Sequence, residues 1–179
     1  MMGKDELFLT VLEKIDRVKE SYRFSKQELF YIIEENTGTS AVAEYEVDKK
    51  AFCIINPHRK TIHFLPIDGK QGVLAYDDSY CDALIFDNTI ASFLEFKLNA
   101  TSTEERAIRK NRKKAISQLK NTIAFFDQKL NNDYKGLALE AIVVTPETYP
   151  RADTSWSDMS IEFLEETGIS LFEKTEKEY

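Results

Sequence analysis

The chain has 179 residues and a formal charge of −7, with 42% hydrophobic, 31% charged and 12% aromatic residues. That length suffices for one domain with a sizeable core and is short for two, and the mixed composition excludes general disorder. No apolar run approaches the roughly 20 residues of a membrane-spanning helix, and the acidic balance argues against a surface that grips polyanions throughout.

Residues 5–20 (DELFLTVLEKIDRVKE) place Leu7, Phe8, Val11, Leu12, Ile15 and Val18 at helical spacing. This predicts an amphipathic helix within an N-terminal segment 1–24; acids inside the apolar pattern set it apart from a secretory signal. Ser25-Lys26-Gln27-Glu28 has the form of a capping box, predicting a second helix to about Asn36 with Leu29, Phe30, Ile32 and Ile33 inward. Gly38 stands where a left-handed residue would end that helix. Residues 41–50 fit a strand or a helix. Residues 51–55 and 61–67 read as strands of a hairpin around the turn Asn56-Pro57-His58-Arg59. His58 is expected in the exposed turn and His63 on a strand face, neither converging on a Cys, Ser or acid pattern. The loop Asp68-Gly69-Lys70-Gln71-Gly72 is placed to border a site but lacks the spacing of a phosphate-binding loop.

The stretch from Tyr80 to Asn99 organises the chain. Asp82 opens one strand, Asp87-Asn88 supplies a turn, and Thr89 to Leu98 forms a second strand. Alternation puts Leu94, Phe96 and Leu98 on one face and Phe93, Glu95 and Lys97 on the other. A carboxylate and an ammonium inside an apolar strand are costly to bury unless each is paired or holds a metal, and strand pairing brings Asp82 toward them. A solvated Glu–Lys pair on an edge strand is the alternative.

Thr101-Ser102-Thr103 offers caps for a helix to about Leu130, with Ile108, Ala115, Leu119, Ile123 and Phe126 as its buried stripe. From Arg106 to Lys120 this helix carries Arg106, Arg109, Lys110, Arg112, Lys113, Lys114 and Lys120 with no acid among them. Acids gather instead at Glu34-Glu35, Glu44 to Asp48, Glu165-Glu166 and Glu173 to Glu178, so charge is polarised. The basic run is either a nucleic-acid contact or a solvated face. Residues 137–145 read as a buried strand stopped by Pro146, and 149–157 as a loop anchored by Trp156. Ser157 or Ser160 starts a short helix ended by Gly168, residues 169–172 form a last strand, and 174–179 is a charged, frayed tail. Cys53 and Cys81 are expected as two buried thiols in a reducing, cytoplasmic compartment, with no zinc spacing.

An aspartate opening one strand, followed after a turn by Glu95-Phe96-Lys97, resembles the PD-(D/E)XK nuclease superfamily over roughly Ser25 to Thr145. Asp48-Lys49-Lys50 and Asp127-Gln128-Lys129 repeat the tripeptide, but lack the strand context and the upstream Asp82. Asp77 and Asp78 rival Asp82, which is preferred because it opens the apolar run. The resemblance implies a restriction-endonuclease-like fold: a three-layer α/β sandwich whose mixed central sheet is flanked by helices, as one domain with its core in 25–173. It implies Mg²⁺, or Mn²⁺ in its place, held by Asp82, Glu95 and the Phe96 backbone carbonyl, with Lys97 orienting the attacking water or stabilising the phosphorane. A helix before the sheet often adds an acid in that family; Glu34 or Glu35 stands there, Glu35 being carried forward, and a solvated helix end explains both equally well. The helix after Glu-x-Lys implies nucleic-acid contacts at Arg109, Lys113, Lys114 and Gln118, although Thr122 departs from the Gln-x-x-x-Tyr form of some members. The function implied is a Mg²⁺-dependent nuclease acting on DNA, in restriction, phage defence or repair, working as a homodimer or with a protein partner. The acidic surface favours the alternative, a catalytically inactive binding protein on the same scaffold: an inhibitor, immunity or assembly subunit.

Overall fold

The alternation in 80–99 folds as the hairpin it suggests. In the computed structural model, which describes residues 2–35, 38–45, 51–74, 79–150 and 153–179, β6 (Ala83–Phe86) and β7 (Ile90–Phe96) pair antiparallel, with Ala83 opposite Leu94 and Phe86 opposite Ala91. The turn is held by Asp87, whose Oδ1 accepts from the Thr89 N–H, the Thr89 hydroxyl and the Ile90 N–H at 2.7, 2.6 and 3.0 Å. Asp and Asn favour such turns because a short side chain can satisfy backbone donors two or three residues on.

This hairpin lies inside a six-stranded mixed sheet. Its other strands are β1 (Arg23–Ser25), β5 (Ile62–Pro66), β8 (Ala138–Val144) and β9 (Ser170–Lys174), in the order β1-β5-β6-β7-β8-β9. From β1 through β5 and β6 to β7 each strand runs antiparallel to the next; β7, β8 and β9 run parallel to one another. Parallel neighbours need crossovers, supplied by α3 (Glu105–Leu130) and α4 (Thr154–Thr167). A second sheet has the order β10-β4-β2-β3, built from β2 (Leu29–Glu34), β3 (Ser40–Ala43), β4 (Phe52–Ile55) and β10 (Glu176–Glu178).

The two faces of the central sheet bury different partners. Leu84, Phe86, Phe93, Ala141 and Val143 pack against Ala115, Leu119, Ile123 and Phe126 of α3, Phe163 of α4 and Phe8 and Leu12 of α1 (Lys4–Leu12). Ala83, Ile85, Leu94, Phe96, Ile142 and Val144 pack against Phe30, Ile32, Phe52 and Ile54 of the second sheet. The layers are therefore helices, sheet, sheet. The expected α/β sandwich with a mixed central sheet is present, but helices flank it on one face only.

Several expectations need correction. The N-terminal helix is broken: α1 ends at Leu12, Arg17 adopts a left-handed φ of 68°, and only a short α2 (Val18–Ser21) follows. Residues 29–34 form β2, not a helix; β2 pairs with both β3 and β4, and Ser25 Oγ donates to Glu44 and accepts from the Gln27 N–H. The β-branched and aromatic run Leu29 to Ile33 gains more from two ladders and a buried face than from a helical cap. The strands β4 and β5 do not form a hairpin: β4 joins the second sheet and β5 the first. Asn56 steers that crossing, its amide donating to the Gln27 and Lys60 carbonyls. α3 starts at Glu105, with Ser102 Oγ accepting from the Glu104 N–H at 3.3 Å. α4 starts at Thr154, capped by Asp153, so Trp156 sits in its first turn.

The tail is not frayed. Residues 176–178 pair parallel to β4, and Lys177 turns inward onto Glu140 of β8, beneath the Tyr179 ring at 4.7 Å. Cys53 and Cys81 are free thiols; Cys81 is buried as expected, whereas Cys53 is only half-buried. Among the described residues no helix is long and apolar enough to cross a membrane.

Candidate active site

The backbone delivers Asp82, Glu95 and Lys97 to one end of the central strands. Asp82 is fixed just before β6 by two ladder bonds, its carbonyl accepting from Ile67 N–H (2.9 Å) and its N–H donating to Leu94 (3.0 Å). Glu95 is the penultimate residue of β7 and faces the helix layer beside Phe93, 1% exposed. Lys97 follows β7, its N–H bonded to the Val144 carbonyl at 2.7 Å.

Their side chains meet. Asp82 Oδ2 accepts from the Phe96 N–H at 2.5 Å, and the Asp82 and Glu95 carboxyls are near enough to act on each other's charge. The Lys97 ammonium pairs with Glu95 Oε1, lies 3.4 Å from the Phe96 carbonyl oxygen, and donates to Gln118 Oε1 at 3.2 Å. Glu95 Oε2 is buried with no hydrogen-bond partner among the described residues. Two acids and one cation leave the cluster one positive charge short.

The electrostatics follow from that imbalance. Burial pushes the Asp82 carboxyl up to about 6, against the pull of the Phe96 N–H and Lys97; the Glu34 carboxylate adds to the rise. Glu95 is held well above the ordinary carboxylate range by burial and then by Asp82, with Lys97 opposing. The pair retains a proton near neutrality unless a cation takes its place.

The donor set tests the fit of a metal. Asp82, Glu95 and the Phe96 carbonyl are hard oxygen ligands of the kind Mg²⁺ and Mn²⁺ take, and the partnerless Glu95 Oε2 is the atom a cation would satisfy. Among the described residues no three or more His, Cys, Asp or Glu side chains are placed to hold a metal ion together. Two carboxylates and a carbonyl suit an ion that keeps waters in its shell.

The remaining candidates divide. Glu34, at the end of β2, is the acid that acts on Asp82; its Oε2 accepts from Asn99 Nδ2 at 3.3 Å. Glu35 lies instead on a cleft between the sheet edges. The strand at 29–34 decides this, because successive residues point to opposite faces. Gln118 is buried rather than presented to a ligand: it bridges Lys97 and the Tyr80 carbonyl, donating to the latter at 3.1 Å, and so fixes the lysine.

The basic run is thinner than its sequence suggests. Arg112 is buried, bidentate to Glu173 (3.0 and 2.7 Å), bonded to Asp153 (2.5 Å) and the Pro150 carbonyl (2.8 Å), and packed against the Tyr149 and Trp156 rings. Lys120 pairs with Glu166. Arg109 and Lys113, exposed and one turn apart, border clefts beside α4, and Lys110 and Lys114, also exposed, form a separate row one turn short of Gln118. No periodicity argument could have revealed Arg112's partners, which come from β9 and the start of α4.

Of the repeated tripeptides, Asp127 and Lys129 lie on α3, Asp127 bonded to the Tyr134 hydroxyl; Asp48 to Lys50, like Asp77 and Asp78, fall outside the described residues. His58 is exposed as expected. His63 does meet an acid: Nε2 reaches Asp5 at 3.1 Å and Nδ1 the Tyr22 hydroxyl at 2.7 Å, with its ring flat on Phe86. Burial and then Asp5 raise the Tyr22 hydroxyl, so this trio is no activated nucleophile; it ties α1 to β5.

No protein-family profile, characterised protein or solved structure matches the chain. The case for a function therefore rests on the cluster itself.

Proposed function

We propose that the protein is a divalent-metal-dependent nuclease that hydrolyses phosphodiester bonds, with DNA as its substrate, in the restriction-endonuclease-like group. The observation that carries this reading is the buried Asp82–Glu95 pair with its partnerless oxygen beside a single lysine. Burying two close acids against one ammonium is unfavourable as a purely structural device, and a divalent cation removes the deficit. Asp82, Glu95 and the Phe96 carbonyl would hold Mg²⁺ or Mn²⁺. An ion held by these groups would supply charge to polarise the phosphate and lower the pKa of a water.

The chain's own groups do the rest. Lys97, steadied by Gln118, provides a fixed cation for the charge that develops on phosphorus oxygens and for orienting the attacking water. Glu34, set beside Asp82, adds negative potential at the mouth of the site. The exposed Lys110–Lys114 row offers the substrate backbone a contact leading toward Lys97. Two free thiols fit a reducing, cytoplasmic setting.

A non-catalytic binding protein on the same scaffold is the second reading. It is favoured by the direct Lys97–Glu95 ion pair, which neutralises one acid without a metal. Incubation of supercoiled DNA with the protein and Mn²⁺ decides between them. Cleavage by the wild type that Glu95→Gln and Lys97→Ala abolish is the expected result; equal cleavage by Glu95→Gln removes the site assignment.

A further inference from the structure

The cleft that Glu35 lines has a volume of about 800 Å³, within the range of roughly 300–1,000 Å³ that ligand sites occupy. It opens between two sheet edges, β1 of the central sheet and β3 of the second sheet. Its far wall lies on β5, the strand beside Asp82, on the face of the central sheet opposite Glu95. Pro66, on the wall, is the register partner of Ala83, and the next residue, Ile67, bonds Asp82; Ser40, also on the wall, is the register partner of Glu34.

Three features of the lining bear on what enters. Phe24 and Tyr45 are 55% and 70% exposed, unusual for large aromatic rings. Ser40 is 3% exposed, and its buried hydroxyl has no hydrogen-bond partner among the described residues. Two guanidiniums, Arg17 and Arg23, stand among three carboxylates, Glu20, Glu35 and Glu44. Neither arginine pairs with a carboxylate among the described residues; Arg17 donates to the Lys70 carbonyl and Arg23 to those of Glu20 and Tyr22.

A phosphate backbone does not suit a wall where carboxylates outnumber guanidiniums. Base edges do: glutamates accept from exocyclic amines, arginines donate to ring nitrogens and carbonyls, and a buried hydroxyl does either. Aromatic faces stack unpaired bases of any sequence. Those edges and faces are open only where a strand is unpaired. We infer that this cleft receives the bases of an unpaired nucleic-acid strand, so that the acid pair acts on single-stranded or locally opened substrate.

This deepens the nuclease reading and rests on it, so the test separates the two. Binding of labelled single-stranded and duplex oligonucleotides of one mixed sequence is measured by fluorescence anisotropy in EDTA, with deoxy and ribo strands in parallel to identify the sugar. Preference for the single strand is expected, with Tyr45→Ala and Phe24→Ala each weakening it about tenfold, within the range for losing one base–aromatic stack. Both side chains are exposed, and an unchanged melting temperature checks that the fold is kept. Equal affinity for single strand and duplex, or single-strand binding unaffected by both variants, overturns the inference. Cleavage of duplex plasmid in Mn²⁺ that Tyr45→Ala leaves intact, together with that lack of effect on binding, discards the cleft and keeps the nuclease. Single-strand binding that Tyr45→Ala weakens, with no cleavage of any substrate, keeps the cleft and discards the nuclease.

Discussion

Two neighbouring strands of the central sheet each carry a buried glutamate paired with a lysine, and the two arrangements end differently. On β8, Glu140 meets Lys177 and the Ser92 hydroxyl, one acid against one cation, closed over by Tyr179. On β7, Glu95 meets Lys97 but also Asp82, and one of its oxygens is left without a partner among the described residues. The first is a balanced pair that pins the last strand to the central sheet. The second is short of a cation at the sheet's rim. Burial and a Glu–Lys contact are common to both; the unbalanced second acid is what sets the proposed site apart.

The sharpest way to break this comparison is to remove a carboxylate from each. Asp82→Asn or Glu95→Gln should reduce phosphodiester cleavage on the order of 10²–10³-fold or more, the scale of losing one charge-stabilising group. The melting transition should survive in both. Glu140→Gln should leave cleavage per folded molecule unchanged. Single-turnover rates, corrected for folded fraction by circular dichroism, read this directly.

The next largest effect falls on stability. Lys177→Ala strands the Glu140 carboxylate inside the protein and should cost about 3–5 kcal/mol, the range for breaking a buried pair. Arg112→Ala removes the guanidinium that Asp153 and buried Glu173 share and should cost a comparable amount. Urea titration checks both. A destabilisation below about 1 kcal/mol would place these pairs with surface bridges instead.

A pH dependence sets the acid pair apart. Asp82 in the folded chain titrates near 6, above its unfolded value near 4, so the folded state holds the proton more tightly. The associated stability is fully present below pH 4 and is lost as pH rises through 6. Two pH units correspond to about 3 kcal/mol, an upper figure for a pair that shares its proton. In chelator, therefore, this pair should lower stability between about pH 4.5 and pH 8, Asp82→Asn should flatten that fall, and Mg²⁺ should reverse it at the alkaline end. Thermal melts of both proteins across that window, with and without metal, provide the check.

The smallest effect concerns α3. Lys110→Ala with Lys114→Ala should reduce the salt dependence of duplex binding by about 0.9 in slope for each phosphate no longer neutralised. Arg109→Ala with Lys113→Ala should change it less, because those side chains border the clefts beside α4.

Legibility in the sequence tracked how local the determinant was. The hairpin around Asp87 and the stripe of α3 were readable, since turn chemistry and period act over a few residues. Asp82, Glu95 and Lys97 were readable because one strand and one turn bring them together. Residues 25–36 misled, because a local capping signal competed with ladders formed to residues 40–43 and 52–55. The tail misled similarly: Lys-Thr-Glu-Lys-Glu-Tyr reads as solvated until Glu140, distant in sequence, supplies the partner. Gln118's true role and the choice of Glu34 over Glu35 depended on which face of a strand or helix met the site. That information lives in tertiary packing.

Everything proposed for the rim of the central sheet depends on the acid pair being a cation site. Calorimetric titration of the protein with Mg²⁺ and with Mn²⁺ near pH 6, run in two buffers of different ionisation heat, measures cation uptake and proton release together. A divalent cation should bind, protons should leave as it does, and Asp82→Asn and Glu95→Gln should each abolish the binding while Glu140→Gln retains it. Absence of uptake at millimolar metal, or uptake that Asp82→Asn leaves unchanged, would contradict the assignment.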